Sequence, residues 1–97
     1  MDGDGAAVLD IGHDVGALVL YAPEALLGHE VEVESDDDLA TRVHTIVRER
    51  QIDGRRLFPA VFPALRAGRY RLCPQGLEAG GMVTINGGVV AEADWPC

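Results

Sequence analysis

The chain has 97 residues, enough for one small domain. Sixteen acidic residues face eight basic ones, all arginine, for a net charge of −8, and 47 % of the residues are hydrophobic. These values exclude a disordered tail and disfavour a general polyanion binder, and no apolar run reaches the length of a membrane-spanning helix. The opening Met1-Asp2-Gly3-Asp4 is acidic where a secretory signal is basic, so a soluble, cytoplasmic protein is expected.

The charge is unevenly spread. Residues 1–41 carry −11, residues 42–71 carry +6 and residues 72–97 carry −3. The basic middle third either marks an anion site or is neutralised by acidic neighbours within one sheet. The second reading is favoured, because so short a piece is not its own domain.

Residues 1–6 read as a frayed lead, and Ala7–Ile11 as a first short strand. Gly12-His13-Asp14 is a turn. Val15–Tyr21 is the most apolar stretch and suits a buried strand. Pro23–Gly28 has the form of one helical turn, with proline at its start and glycine after its end. His29–Glu34 alternates strictly, which predicts a strand with Val31 and Val33 inward and Glu30, Glu32 and Glu34 outward. Ser35–Asp38 then reads as a loop, with a half-turn over Leu39–Thr41.

Arg42–Ile52 is rich in β-branched residues and predicts one strand. Asp53-Gly54 is a strong hairpin signal. A two-residue turn there pairs Ile52 with Arg55, Val47 with Ala60 and Thr45 with Phe62. Val43, Val47, Phe58, Ala60 and Phe62 then share one face; Arg42, His44, Arg48 and Arg50 share the other. Pro59 cannot donate to a central ladder, so its arm lies at an edge or is bulged. Leu65–Gly68 is a turn and Arg69–Cys73 a strand; Pro74–Gly81 is a loop. Met82–Ile85 and Val89–Trp95 flank Asn86-Gly87-Gly88 and predict a second hairpin. About seven short strands with almost no helix argue an all-β sandwich.

The stretch Phe62-Pro63-Ala64-Leu65-Arg66-Ala67-Gly68-Arg69-Tyr70-Arg71-Leu72 resembles the transthyretin-like, or carboxypeptidase regulatory-like, β-sandwich modules. Val83–Val89 is similar to their closing hairpin. The resemblance covers residues 40–97 and implies a transthyretin-like (prealbumin-like) Greek-key sandwich. It also implies that Tyr70 buries its ring while its hydroxyl bonds back to the chain at a sandwich corner. Such modules are generally non-catalytic supports or binding domains. One related branch hydrolyses a ureide and ends in a Tyr-Arg-Gly-Ser tail, whereas this chain ends Asp94-Trp95-Pro96-Cys97, so no catalytic residue carries over.

Enzymatic chemistry finds little support in the residues. Ser35 is the sole serine and sits among acids that oppose a developing oxyanion. Cys73 and Cys97 are expected to be reduced thiols in a cytoplasmic protein. The glycine pairs lack the following helix that a phosphate loop needs. Asp2–Gly5 and Asp36–Asp38 lack the ligand spacing of a calcium loop. No cofactor is expected. His13, His29 and His44 are the candidate ligands of an alternative metal- or ligand-binding reading, without a helical or Cys-x-x-Cys spacing to unite them.

The leading candidate is the arginine row: Arg42, His44, Arg48 and Arg50, with Arg55 across the turn. Either it pairs with Glu30, Glu32 and Glu34 as cross-strand ion pairs, or it stands free for a protein partner or a second copy of the chain. Trp95 is either an interface anchor or a lid on the core. The expected function is a non-catalytic interaction module acting through a charged sheet face or an edge strand, with no nucleic acid or membrane partner.

Overall fold

A computed structural model describes residues 11–37, 41–72 and 81–95, and the chain is all-β over them. Nine short strands appear, against the seven expected: β1 (Val15–Tyr21), β2 (Glu30–Ser35), β3 (Arg42–Ile46), β4 (Arg50–Ile52), β5 (Arg55–Leu57), β6 (Pro59–Arg66), β7 (Gly68–Leu72), β8 (Met82–Ile85) and β9 (Val90–Asp94). One 3₁₀ turn, Glu24–Leu26, follows the proline that predicted it. The expected first strand over 7–11, the loop over 74–81 and both cysteines lie largely or wholly outside the described residues.

Strands β6-β1-β9 form one sheet and β3-β2-β7-β8 a second; β4-β5 is a two-stranded ribbon. The inner faces of the two larger sheets meet in one core. Leu18, Leu20, Ala60 and Phe62 from the first sheet pack with Val31, Val33, Tyr70, Leu72 and Ile85 from the second. Period-two alternation selects these residues, and each large apolar side chain buried contributes about 1.5–3 kcal/mol. Val15–Tyr21 behaves as its apolar run requires: β1 is the central strand, antiparallel to β6 and parallel to β9.

The Asp53-Gly54 turn forms as read, with both residues at positive φ (53° and 78°), and Ile52 faces Arg55. The long hairpin expected beyond it does not. Val47 donates its N–H to the His29 carbonyl and accepts from Gly28, in register with β2. The next residue, Arg48, donates instead to the Pro59 carbonyl at 3.1 Å. The chain thus changes sheets between two consecutive residues. Thr45 pairs with Val31 rather than Phe62, and Ala60 pairs with Leu20 rather than Val47. The face assignment survives, since Val47, Phe58, Ala60 and Phe62 are all buried in the shared core.

The second expected hairpin is also replaced. β8 pairs with β7 and β9 with β1, so Asn86-Gly87-Gly88 is a corner between sheets. The corner rests on the His13 turn, and a Cβ at Gly87 would collide with the His13 carbonyl. Turn chemistry alone does not distinguish a hairpin from a corner; the partner waiting for each strand does.

Pro59 lies in β6, an edge strand of its sheet, and a bulge interrupts β6 opposite Ala17. Glu34 corrects the outward row: it is only 8 % exposed. Among the described residues no helix is long and apolar enough to cross a membrane.

Candidate interaction face

The arginine row is divided by the sheet change at Val47. Arg42 and His44 stay with the second sheet, where β2 and β3 pair antiparallel and set Glu34 opposite Arg42 and Glu32 opposite His44. Arg42 Nε donates to Glu34 Oε2 at 3.0 Å and also lies 3.8 Å from Glu32. His44 Nδ1 is 3.0 Å from Glu30 Oε2. Arg71, which the sequence reading did not single out, reaches Glu34 from the other flank at 2.9 Å and Asp36 at 3.4 Å. Glu34 is thus held between two guanidiniums, which allows its burial.

Arg48, Arg50 and Arg55 part from this network. None makes an ion pair among the described residues. The ribbon register explains why. Arg50 faces Leu57 and Ile52 faces Arg55, while Gln51 faces Arg56. Facing residues in a ladder project to the same side. One side of the ribbon therefore carries Arg50, Ile52, Arg55 and Leu57, with Arg48 continuing it. The other carries Arg56 and Glu49.

Arg56 anchors that second side. It donates to both Glu49 oxygens, at 3.1 and 3.3 Å, lies 3.1 Å from Glu24 Oε2, and stacks 5.2 Å from the centre of the Phe58 ring. The Arg56 hydrogen bond holds the Glu49 carboxyl below its usual range and, reciprocally, raises the Arg56 guanidinium. Two-stranded ribbons are marginal alone in water, so this anchor fixes the orientation of the cationic side.

Beside that side runs a groove of about 220 Å³ lined by Thr45, Ile46, Arg48, Arg50, Pro59, Val61 and Pro63. It opens onto the outer face of the first sheet, where lateral rows follow from the register. Pro59, Tyr21 and Asp94 form one row; Val61, Val19 and Glu92 form the next. Arg48, bonded to Pro59, extends the first row by one strand. The centre of the face is apolar, with arginine on one flank and carboxylate on the other.

Tyr21 closes the acidic flank, donating its hydroxyl to Glu92 Oε2 at 3.0 Å. Its phenol is raised above the usual value by burial first, then by the hydrogen bond to Glu92 and the charges of Glu92 and Asp94. Ile46 and Ile52, 41 % and 48 % exposed, add apolar surface at the cationic flank.

The β6 edge offers little for strand addition. Ala22 N–H bonds the Phe58 carbonyl, so the backbone of Phe58, Ala60 and Phe62 points toward β1, and that of Pro59, Val61 and Pro63 points away. Of these three, Val61 alone carries an N–H, and the Pro59 carbonyl is already taken by Arg48. The face, rather than this edge, is the surface on offer.

The remaining sequence candidates fall elsewhere. His13 sits exposed in the turn before β1, His29 is exposed before β2, and His44 is on β3. No group of three His, Cys, Asp or Glu side chains gathers among the described residues. Trp95 is half-buried against the core, and its backbone N–H donates to the Tyr21 carbonyl at 2.9 Å. A second cavity, about 330 Å³, is lined by Asp14, Asp37, Arg66 and Tyr70 among others, so it holds acidic and basic side chains together rather than a row of one sign. Besides Arg71 and Arg56, the sequence reading missed Tyr21, Glu92 and Asp94. The hairpin register already set Arg55 and Arg56 on opposite sides; nothing local placed Glu92 beside Tyr21.

Compared with protein-family models, curated proteins and solved structures, the chain matches none.

Proposed function

We propose that this chain is a non-catalytic interaction module that presents the cationic side of its ribbon, and the outer sheet face beside it, to an acidic protein surface. The observation that carries this reading is the separation of the arginines. In a chain of net charge −8, Arg48, Arg50 and Arg55 stand without an ion pair among the described residues, grouped around exposed Ile52. Unpaired guanidiniums beside apolar side chains are the composition of a protein-binding surface, because arginine combines a carboxylate fork with a stackable, weakly hydrated plane.

A transthyretin-like sandwich is supported by the residues of the Phe62–Leu72 stretch, though not by Val83–Val89, whose strands pair elsewhere instead of closing a hairpin. Phe62, Leu65, Tyr70 and Leu72 are buried, and Tyr70 donates its hydroxyl to the Arg66 carbonyl at 2.9 Å. At Gly68 a Cβ would lie 2.7 Å from Asp37 Oδ2.

Peptide-display selection against the immobilised chain tests the function. The expected result is enrichment of sequences with Asp or Glu beside Leu, Val or Ile, lost in an Arg48→Glu/Arg50→Glu variant that keeps the wild-type urea midpoint. Arg42→Gln, which removes a guanidinium already engaged with Glu34, is expected to keep the selection. Enrichment without acidic residues, or retained by the double variant, overturns the reading.

A further inference from the structure

The outer face of the first sheet carries both halves of a complementary pair. Across its width lie four columns: the Arg48 end of the ribbon, then β6, β1 and β9. In the row shared by Pro59 and Tyr21, Arg48 stands at one flank and Asp94 at the other. At about 4.8 Å per strand, the two charges are separated by about 14 Å, too far to pair within one chain. Rotation about an axis that runs along the strands, between β6 and β1, exchanges the columns while leaving the rows in place.

We infer that two copies of this chain associate through this face, about a two-fold axis parallel to β1. This rests on the reading of the face as an interaction surface and names its occupant. The operation sets Arg48 of each copy against Asp94 of the other, Pro59 against Tyr21, and Val61 against Val19. Both rims become cation against carboxylate, and the middle becomes apolar against apolar.

Charge discriminates against the other arrangements. A two-fold axis across the strands would set Arg48 against Arg48 and Asp94 against Asp94. Antiparallel pairing of two β9 edges would set Glu92 against Glu92. Like charges directly opposed are destabilising in either case. A patch only four strands wide and about five residues long is small beside the roughly 800 Å² per partner of a stable complex. The dimer is therefore weak, and salt dissolves it because its rims are exposed ion pairs.

Sedimentation equilibrium at high-micromolar concentration tests the inference. Wild type is expected to form dimers at low salt and to dissociate at high salt. Arg48→Glu/Arg50→Glu and, separately, Glu92→Arg/Asp94→Arg each place like charges at both rims. Each raises the dissociation constant by about tenfold or more. Mixing the two variants restores dimer, because each copy then meets the opposite charge at both rims. Circular dichroism and urea unfolding verify that both variants are folded.

Monomeric wild type at low salt overturns the dimer, as do larger assemblies or a mixture that stays monomeric. Loss of association in the β9 variant alone means that the Arg48 rim takes no part and overturns it too. If the wild type is monomeric while display still selects acidic sequences through Arg48 and Arg50, the dimer fails and the interaction module stands. If display also fails, the module reading falls with it.

Discussion

Arg42 and Arg50 lie eight positions apart on what reads as one strand, yet they meet opposite fates. Arg42 lies in a ladder whose facing strand carries glutamates, and together with Arg71 it encloses Glu34. Arg50 lies in a ribbon whose facing strand carries Leu57 and more arginine. The side chains are chemically identical. Their roles differ because Val47 bonds to His29 and Gly28, just ahead of β2, and Arg48 to β6, so the chain leaves the acidic sheet before the arginines run out. A guanidinium becomes structural or available according to what the neighbouring strand presents.

The largest effect that would break this contrast comes from Glu34. Glu34→Ala leaves Arg42 and Arg71 without their shared, nearly buried acceptor. A loss of about 1–3 kcal/mol is expected in urea unfolding, toward the range for hydrogen bonds to charged groups and tempered by the exposure of Arg42. A change no larger than that of a surface substitution would mean that the paired arginines are as idle structurally as the free ones.

Tyr70 supplies the next effect. Tyr70→Phe removes the hydroxyl that bonds the Arg66 carbonyl and is expected to cost about 1 kcal/mol. Burial is the main cause that raises the Tyr70 phenol, with Asp37 adding to it and Arg66 opposing. A phenol raised in the folded state contributes stability that is complete below its unfolded value, near pH 10, and is lost as pH rises through the folded value. Stability of the wild type therefore falls more steeply above about pH 10 than that of Tyr70→Phe. Parallel curves would sever the corner from the alkaline limb.

The smallest effect is local and sharpens the comparison on the ribbon side. Arg56→Ala removes the bonds to Glu49 and Glu24 and the stack on Phe58. Amide exchange over Arg50–Leu57 is expected to accelerate while the global urea midpoint holds. The Glu49 carboxyl is lowered in the folded chain by Arg56, so this anchoring is present above the ordinary carboxylate range. It fades as pH falls through the lowered value. Ribbon protection that is indifferent to both changes would show that Arg56 does not orient the cationic side.

Local patterns located much of this. Alternation in His29–Glu34 set Val31 and Val33 inward, and Asp53-Gly54 fixed the turn and the pairing of Ile52 with Arg55. The proline in Pro59-Ala60 marked an edge strand, because a missing N–H is a local fact with a topological consequence. The arginine cluster was visible as charge, but its even spacing set Arg42, His44, Arg48 and Arg50 in one row, which the structure divides between two sheets. Two features escaped for a shared reason. Nothing between Arg42 and Ile52 marks the change of sheet at Val47, since it shows only in bonding, Val47 to His29 and Arg48 to Pro59. Nothing around Asn86-Gly87-Gly88 tells a hairpin from a corner, since both need the same tight turn.

By itself, then, the sequence determined where strands lie, which side of each is apolar, where the chain turns and how its charge is grouped. These follow from interactions among residues a few positions apart. The tertiary structure decided which strands are neighbours, and so which charges are matched. That choice rests on the packing of Phe62, Leu18 and Val33 from distant segments into one core. It put Arg42 beside Glu34, left Arg48 and Arg50 at the rim of an apolar face, and placed Asp94 on the opposite rim.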